Sequence, residues 1–248
     1  IIHEGRVYLG FAKVGRFGDG FMTESEGYFL CSENILTEDD PNAIQWETLP
    51  DGDRGLTAPA GPIADEHNAV GLSGGGLYCT YRTVQGHPCH AYSRDGGRTW
   101  NRPAFATHRS YTLGSRPFKH PRACPMVWRA RNGKYLFWFH NHGGRSFPER
   151  NPAWICGGVE EDHHIRWGQP EILLYDPDVD IRMSYPDLIQ QDGRYWVTAT
   201  NKSIARVHEV DPELLEGLWS QGEVREVTRK GLVLSFDLDE NVPATATM

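Results

Sequence analysis

"AYSRDGGRTW", Ala91 to Trp100, is the stretch whose reading decides the fold. Ser93-Arg94-Asp95-Gly96-Gly97-Arg98-Thr99-Trp100 has the chemistry of a tight turn between two strands. Asp95 is placed to accept hydrogen bonds from the backbone of its own turn, and Gly96 and Gly97 tolerate positive φ. Trp100 leads the outgoing chain and is large enough to pack against a sheet. Nothing in the stretch is catalytic; it marks a β-hairpin.

Strand signals surround it. "GRVYLGFAKV" from Gly5, "GGLYCTYRTV" from Gly75, "GKYLFWFHNH" from Gly133 and "GRYWVTATNK" from Gly193 each carry aromatic and β-branched residues after a glycine. Two of the intervals between them are about 60 residues, which reads as a repeat unit. An earlier apolar strand precedes three of them: "NAVGLSG", "CPMVWRARN" and "YPDLIQQD". Each joins its successor through Gly- or Asp-Gly-type turn chemistry. A third strand follows ("HAYSR", "AWICGG"), then a Trp-bearing stretch at Trp46, Trp100 or Trp167. Four strands per unit, repeated, is a β-propeller blade. A β-sandwich would show the same strands without the long-period echo. The one helical segment expected is "DPELLEGLW", with Asp211 as cap and Pro212 in the first turn. Residues 1–235 read as one propeller unit, incomplete at its N-terminus, and 236–248 as a linker or the start of a further segment.

Bulk composition narrows the function classes. The chain has 248 residues, with 27 Gly, 16 Pro and 8 Trp, as turn-rich all-β architectures do. Net charge is −8 with no Lys/Arg block, which argues against nucleic acid or an anionic membrane surface as partner. No apolar run approaches the roughly 18 residues of a membrane helix. Cys31, Cys79, Cys89, Cys124 and Cys156 lack CxxC spacing, so neither a structural zinc site nor a full disulfide framework is expected. The opening "IIHEGRVYLGF" lacks Met and a signal segment and begins inside a strand, which suggests a fragment or processed product. Compartment stays open.

Ser93-x-Asp95-x-Gly97-x-Thr99-Trp100 matches at all its fixed positions the Asp-box, the repeat of outer hairpins in sialidase-like propellers. Weaker echoes sit at Ser32-Glu33-Asn34 before Trp46 and at Gly157-Gly158 before Trp167. The chain resembles the sialidase family over most of residues 5–205. The resemblance implies an all-β, sialidase-like β-propeller of four-stranded blades, about four visible here of the family's six. "DEHNAVGLSGGGLYCTYR" is similar to the family segment that places a glutamate before one strand and an arginine at the end of the next, here Glu66 and Arg82. "RMSYPDLIQQDGRYWV" resembles the segment whose tyrosine, here Tyr185, is the nucleophile. "RNPAWICGGVEEDHHIRW" resembles the blade whose arginine, here Arg150, joins the substrate clamp. "GRFGDGFMTE" stands where the family keeps its acid loop, making Asp19 the candidate general acid. The family's first clamp arginine would fall before Ile1.

These residue types suit one chemistry. A sialic acid carries a carboxylate on its anomeric carbon, so a neutral tyrosine avoids the repulsion a carboxylate nucleophile would meet. A phenol with a pKa of about 10 needs a base, the role implied for Glu66. Arginines bind the substrate carboxylate through planar, paired hydrogen bonds. Arg122 in "HPRACP" and His67, His140 and His142 are further expected sugar contacts. His140 and His142, at i and i+2, share a strand face as metal ligands would, but no metal and no cofactor are expected.

The implied activity is that of an exo-α-sialidase-type retaining glycosidase acting on a terminal sialic acid or similar acidic sugar. "HPRACP", "FHNHGG" and "SYPDL" depart from familiar sialidases, which leaves another acidic sugar open. Two alternatives remain: a propeller polysaccharide lyase using Tyr185 with His67 or His140, and a non-catalytic glycan-binding propeller. Each residue also has a plain structural reading. Glu66 suits a solvated strand end, Tyr185 a surface strand aromatic, Arg82 and Arg150 ordinary cations, and Trp138 and Trp154 core packing rather than sugar stacking.

Overall fold

The computed structural model describes residues 1–14, 24–110, 114–144, 149–221, 231 and 233–234. Asp19 and residues 236–248 lie outside the described residues. The fold is all-β, built as successive antiparallel sheets. The first holds β1 (Ile2–His3), β2 (Arg6–Val14), β3 (Ser25–Ser32) and β4 (Glu47–Leu49), paired in chain order. The second repeats this with β5 (Asp65–Gly71), β6 (Leu77–Arg82), β7 (Cys89–Ser93) and β8 (Ala104–Phe105). A small ribbon, β9 (Thr107–Ser110) with β10 (Gly114–Pro117), leads to the third sheet. That sheet comprises β11 (Met126–Arg129), β12 (Tyr135–Phe139), β13 (Ala153–Glu161) and β14 (His164–Trp167), with β15 (Glu171–Leu174) also on β13. The fourth has β16 (Leu188–Gln191), β17 (Arg194–Asn201) and β18 (Ile204–Val210), followed by helix α1 (Pro212–Ser220).

Neighbouring strands joined by short turns explain this order. Two-residue turns at Glu4-Gly5, Asp162-His163 and Asp192-Gly193 have positive φ at both positions, the geometry that matches strand twist. Asp211 caps α1, its carboxylate accepting from the Glu213 amide at 2.8 Å.

The core lies between blades rather than within them. Tyr8, Phe29, Cys31 and Leu49 of the first sheet pack against Leu77, Cys79, Tyr81 and Ala91 of the second. Tyr78 and Tyr92 of the second meet Phe137, Phe139 and Trp167 of the third, with Phe118 between. Leu136, Trp138 and Ile155 of the third meet Val197, Ala199 and α1. Trp138 is fully buried in this layer, so it stacks on neighbours and not on a sugar. A groove of about 470 Å³ runs along the first strands of all four blades, touching Ile2, Val70, Trp128 and Leu188.

The turn at Ser93 is built by side chains. The Asp95 carboxylate accepts from the Thr99 amide (2.9 Å), the Thr99 hydroxyl (2.6 Å) and the Ser93 hydroxyl (2.8 Å). Ser93 Oγ in turn accepts from the Gly97 amide at 2.8 Å. At Ser32 the same layout recurs over a longer loop: the Ser32 hydroxyl donates to Asn34 Oδ1, which also accepts from the Gln45 amide at 2.9 Å. The expected third turn at Gly157-Gly158 is not there. Both glycines sit inside β13, Gly157 paired with β12 and Gly158 with β12 and β14, and the hairpin comes at Asp162-His163. Gly157 is needed because α1 approaches closely: a Cβ there would lie 2.6 Å from the Leu218 carbonyl oxygen.

Candidate functional site

The candidate residues gather where first strands begin and second strands end. Asp65 and Glu66 open β5, and Arg82 closes the neighbouring β6. Arg122 lies just before β11, Arg150 just before β13 and Tyr185 just before β16.

A bulge makes the first contact possible. The β5–β6 register shifts between Asp65 and Asn68, and Glu66 takes φ +51°. In a regular strand adjacent side chains face opposite sides; the bulge lets two consecutive carboxylates reach one guanidinium. Arg82 donates from Nε to Asp65 Oδ1 at 2.7 Å and from Nη2 to Asp65 Oδ2 at 2.9 Å. Its Nη1 lies 2.9 Å from Glu66 Oε2. Arg82 and Asp65 are both buried.

Arg122 and Arg150 complete the cluster. Arg150, also buried, donates from Nη1 to Ser184 Oγ at 3.0 Å and from Nη2 to the Arg122 carbonyl at 3.4 Å. Its guanidinium carbon lies 5.9 Å from the centroid of the Tyr185 ring, cation–π distance. Tyr185 itself is 57% exposed. Burial pushes the Glu66 carboxyl above its ordinary value; Arg82, Arg150 and Arg122 pull the other way without cancelling that effect. Burial and the nearby Arg82 charge lower the Arg122 guanidinium. Cys124 lies beneath, its Sγ 3.9 Å from the Glu66 carbonyl, and burial raises its thiol.

Backbone strain concentrates at the same place. Nine non-glycine residues have positive φ among the described residues. Glu4, Asp162, His163, Asp192 and Lys202 lie in two-residue hairpin turns. The other four are Glu66, Tyr185, Asn141 beside His140, and Glu149 beside Arg150. A left-handed conformation costs such residues about 1–3 kcal/mol each and recurs at functional sites.

The expected histidine contacts differ. His67 follows the bulge and turns inward, its ring stacked on Tyr81 at 4.8 Å. Both its ring nitrogens are sealed from solvent, and burial pushes its pKa down to about 3. His140 is buried against His120, with rings 5.5 Å apart and Nδ1 donating to the Pro152 carbonyl at 3.2 Å. His142 is half-buried and pairs with the Glu149 carbonyl. Neither His67 nor His140 therefore stands as an open sugar contact. Asp65 and Ser184, which fix Arg82 and Arg150, were not expected. The adjacency of Asp65 to Glu66 was visible, but only the bulge turns both toward one arginine.

No protein-family model matches the chain, and no curated protein does. Solved structures do resemble it. The intramolecular trans-sialidase from Ruminococcus gnavus, in complex with oseltamivir carboxylate, is 18% identical with a TM-score of 0.54, covering 86% of this chain and 42% of that one. Trypanosoma rangeli sialidase with the inhibitor DANA is 14% identical with a TM-score of 0.54, over 86% of this chain and 31% of that one. A K499G mutant of NanB sialidase from Streptococcus pneumoniae is 15% identical with a TM-score of 0.50, over 82% and 28%. The chain thus spans less than half the length of each. At these identities the likeness shows the fold: an all-β, sialidase-like arrangement of β-propeller blades.

Proposed function

We infer that the chain forms part of a retaining glycoside hydrolase of the exo-α-sialidase type, acting on a terminal sialic acid or a similar acidic sugar. The observation that carries this reading is the convergence of Glu66, Arg82, Arg122 and Arg150, with Arg150 also lying against the Tyr185 ring. Clustered arginines favour a planar anion such as the substrate carboxylate. Arg82 is already committed to Asp65 and Glu66. In this reading Arg82 also orients the base, and it binds the substrate carboxylate together with Arg122 and Arg150.

In the first step Tyr185 Oη attacks the anomeric carbon and passes its proton to Glu66, whose affinity for a proton is raised by burial. The anomeric carbon–leaving oxygen bond breaks as a general acid, Asp19 in this reading, protonates that oxygen. Water, deprotonated by the same residue, then cleaves the tyrosyl–sugar bond, and Glu66 returns its proton to the departing phenolate, restoring Tyr185. The likeness to solved sialidases supports the scaffold and leaves the chemistry to these residues.

The lyase alternative asks His67 or His140 to move protons at the sugar. The burial of both rings disfavours it. The deciding experiment incubates the intact protein with an aryl sialoside and follows phenol release and ultraviolet absorbance together. Phenol release without an unsaturated product, lost in Tyr185→Phe with unchanged binding, supports hydrolysis. An absorbing unsaturated product would point to elimination, and full activity in Tyr185→Phe would remove the nucleophile.

A further inference from the structure

His120 and His140 are buried, stacked nearly parallel at 9°, and joined to every arginine-bearing segment of the site. His120 Nδ1 accepts from the His140 backbone amide at 3.2 Å, so that nitrogen carries no proton. The proton of the neutral ring is then on Nε2, which donates to the Ala123 carbonyl at 2.9 Å, one residue past Arg122. His140 has the opposite tautomer. Its Nδ1 faces the Pro152 carbonyl, an acceptor only, and must carry the proton. Pro152 lies two residues past Arg150. The His120 amide donates to the Gly86 carbonyl at 2.9 Å, four residues past Arg82. Arg150 closes the circuit by donating to the Arg122 carbonyl.

We propose that His120 and His140 are positioning residues, a two-histidine clasp that holds the loops bearing Arg122 and Arg150 in fixed register with Arg82. The clasp rests on the functional reading above for what the arginines bind, but its geometry stands without it. The His120 ring contributes a donor and an acceptor and the His140 ring a donor, at fixed angles that no apolar side chain supplies. A proton added to His120 Nδ1 would face the His140 N–H, so the clasp works only in the neutral form. Burial keeps it there: His140 is pushed down to about 3 and His120 is lowered as well.

Two measurements on the intact protein test this. Long-range ¹H–¹⁵N NMR on the unmodified chain is expected to show His120 protonated on Nε2 and His140 on Nδ1. The reverse tautomer at either ring overturns the clasp. In the second, His140→Leu and His140→Asn are compared. Asn keeps a donor near the Nδ1 position, so its arginine Nε–H resonances for Arg122 and Arg150 should stay close to the parent's, while those of Leu move. N-acetylneuraminic acid binding should weaken about tenfold in Leu, the equivalent of about 1.4 kcal/mol, and recover in Asn at equal melting temperature. Unmoved arginine resonances in Leu, or equal damage in both variants, overturn the proposal. If the parent chain binds no N-acetylneuraminic acid while tautomers and arginine resonances behave as stated, the clasp stands and the functional reading falls.

Discussion

Asp65 grips Arg82 through two parallel hydrogen bonds, 2.7 and 2.9 Å long, and both side chains are buried. Paired charges of this kind tolerate loss of a partner poorly, because the remaining charge stays buried, here with Glu66 left as its carboxylate partner. Asp65→Ala is expected to lower unfolding free energy by roughly 3–5 kcal/mol in urea titration, and Asp65→Asn by less, since it keeps an acceptor. Equal, small effects from both would show that Arg82 is held by other groups.

Glu66 gives a pH signature. Its folded carboxyl holds a proton more tightly than the ordinary glutamate value of 4.5, chiefly because it is buried. Stability from that difference is complete below the unfolded value and is lost as pH rises through the folded one. Glu66→Gln should therefore gain stability relative to the parent as pH climbs from 4.5 upward. If Glu66 is the base, it should also set an acid limb of kcat/KM above that value. Its replacement by Gln should cost about a hundred- to ten-thousand-fold in kcat. A limb at or below the ordinary value would contradict the assignment.

Asp95 is expected to matter for stability alone. Burial opposes its charge, but hydrogen bonds from Thr99 and Ser93 outweigh it and hold the carboxyl below its ordinary value of 3.8. Its stabilising effect is present above that value and fades as pH falls through the lower, folded one. Asp95→Ala should cost about 1–2 kcal/mol near neutral pH, with kcat/KM unchanged. Altered kinetics at equal folded fraction would place the turn closer to the chemistry than its position implies.

Gly157→Ala tests the contact between α1 and β13. The added methyl would meet the Leu218 carbonyl oxygen at 2.6 Å, and backbone must move to admit it. The expected cost is about 1–3 kcal/mol, read as a lower melting temperature with a shift in Trp219 fluorescence. A neutral substitution would mean that α1 is loosely docked.

What was legible in the sequence is what local chemistry decides. Ser93, Asp95 and Thr99 build their turn from groups within a few residues of one another, and Asp211-Pro212 starts α1 in the same local way. Gly157-Gly158 misled because paired glycines resemble a turn, whereas the constraint on Gly157 comes from a helix some sixty residues later. His67 misled for a related reason. Period-two alternation cannot register the bulge at Glu66, which turns His67 toward Tyr81 and brings Asp65 onto Arg82. The candidate residues came from family resemblance in their order along the chain. The strain at Glu66 and Tyr185, and the bond from Arg150 to Ser184 that fixes the arginine, belong to tertiary structure.

The most direct test of Tyr185 as nucleophile is mass spectrometry of the peptide containing it, after acid quench of the intact protein during turnover of an activated aryl sialoside. A retaining reaction through Tyr185 predicts a sugar adduct on that tyrosine, absent from Tyr185→Phe. Turnover with an unmodified Tyr185, or with the adduct on a carboxylate, would contradict it.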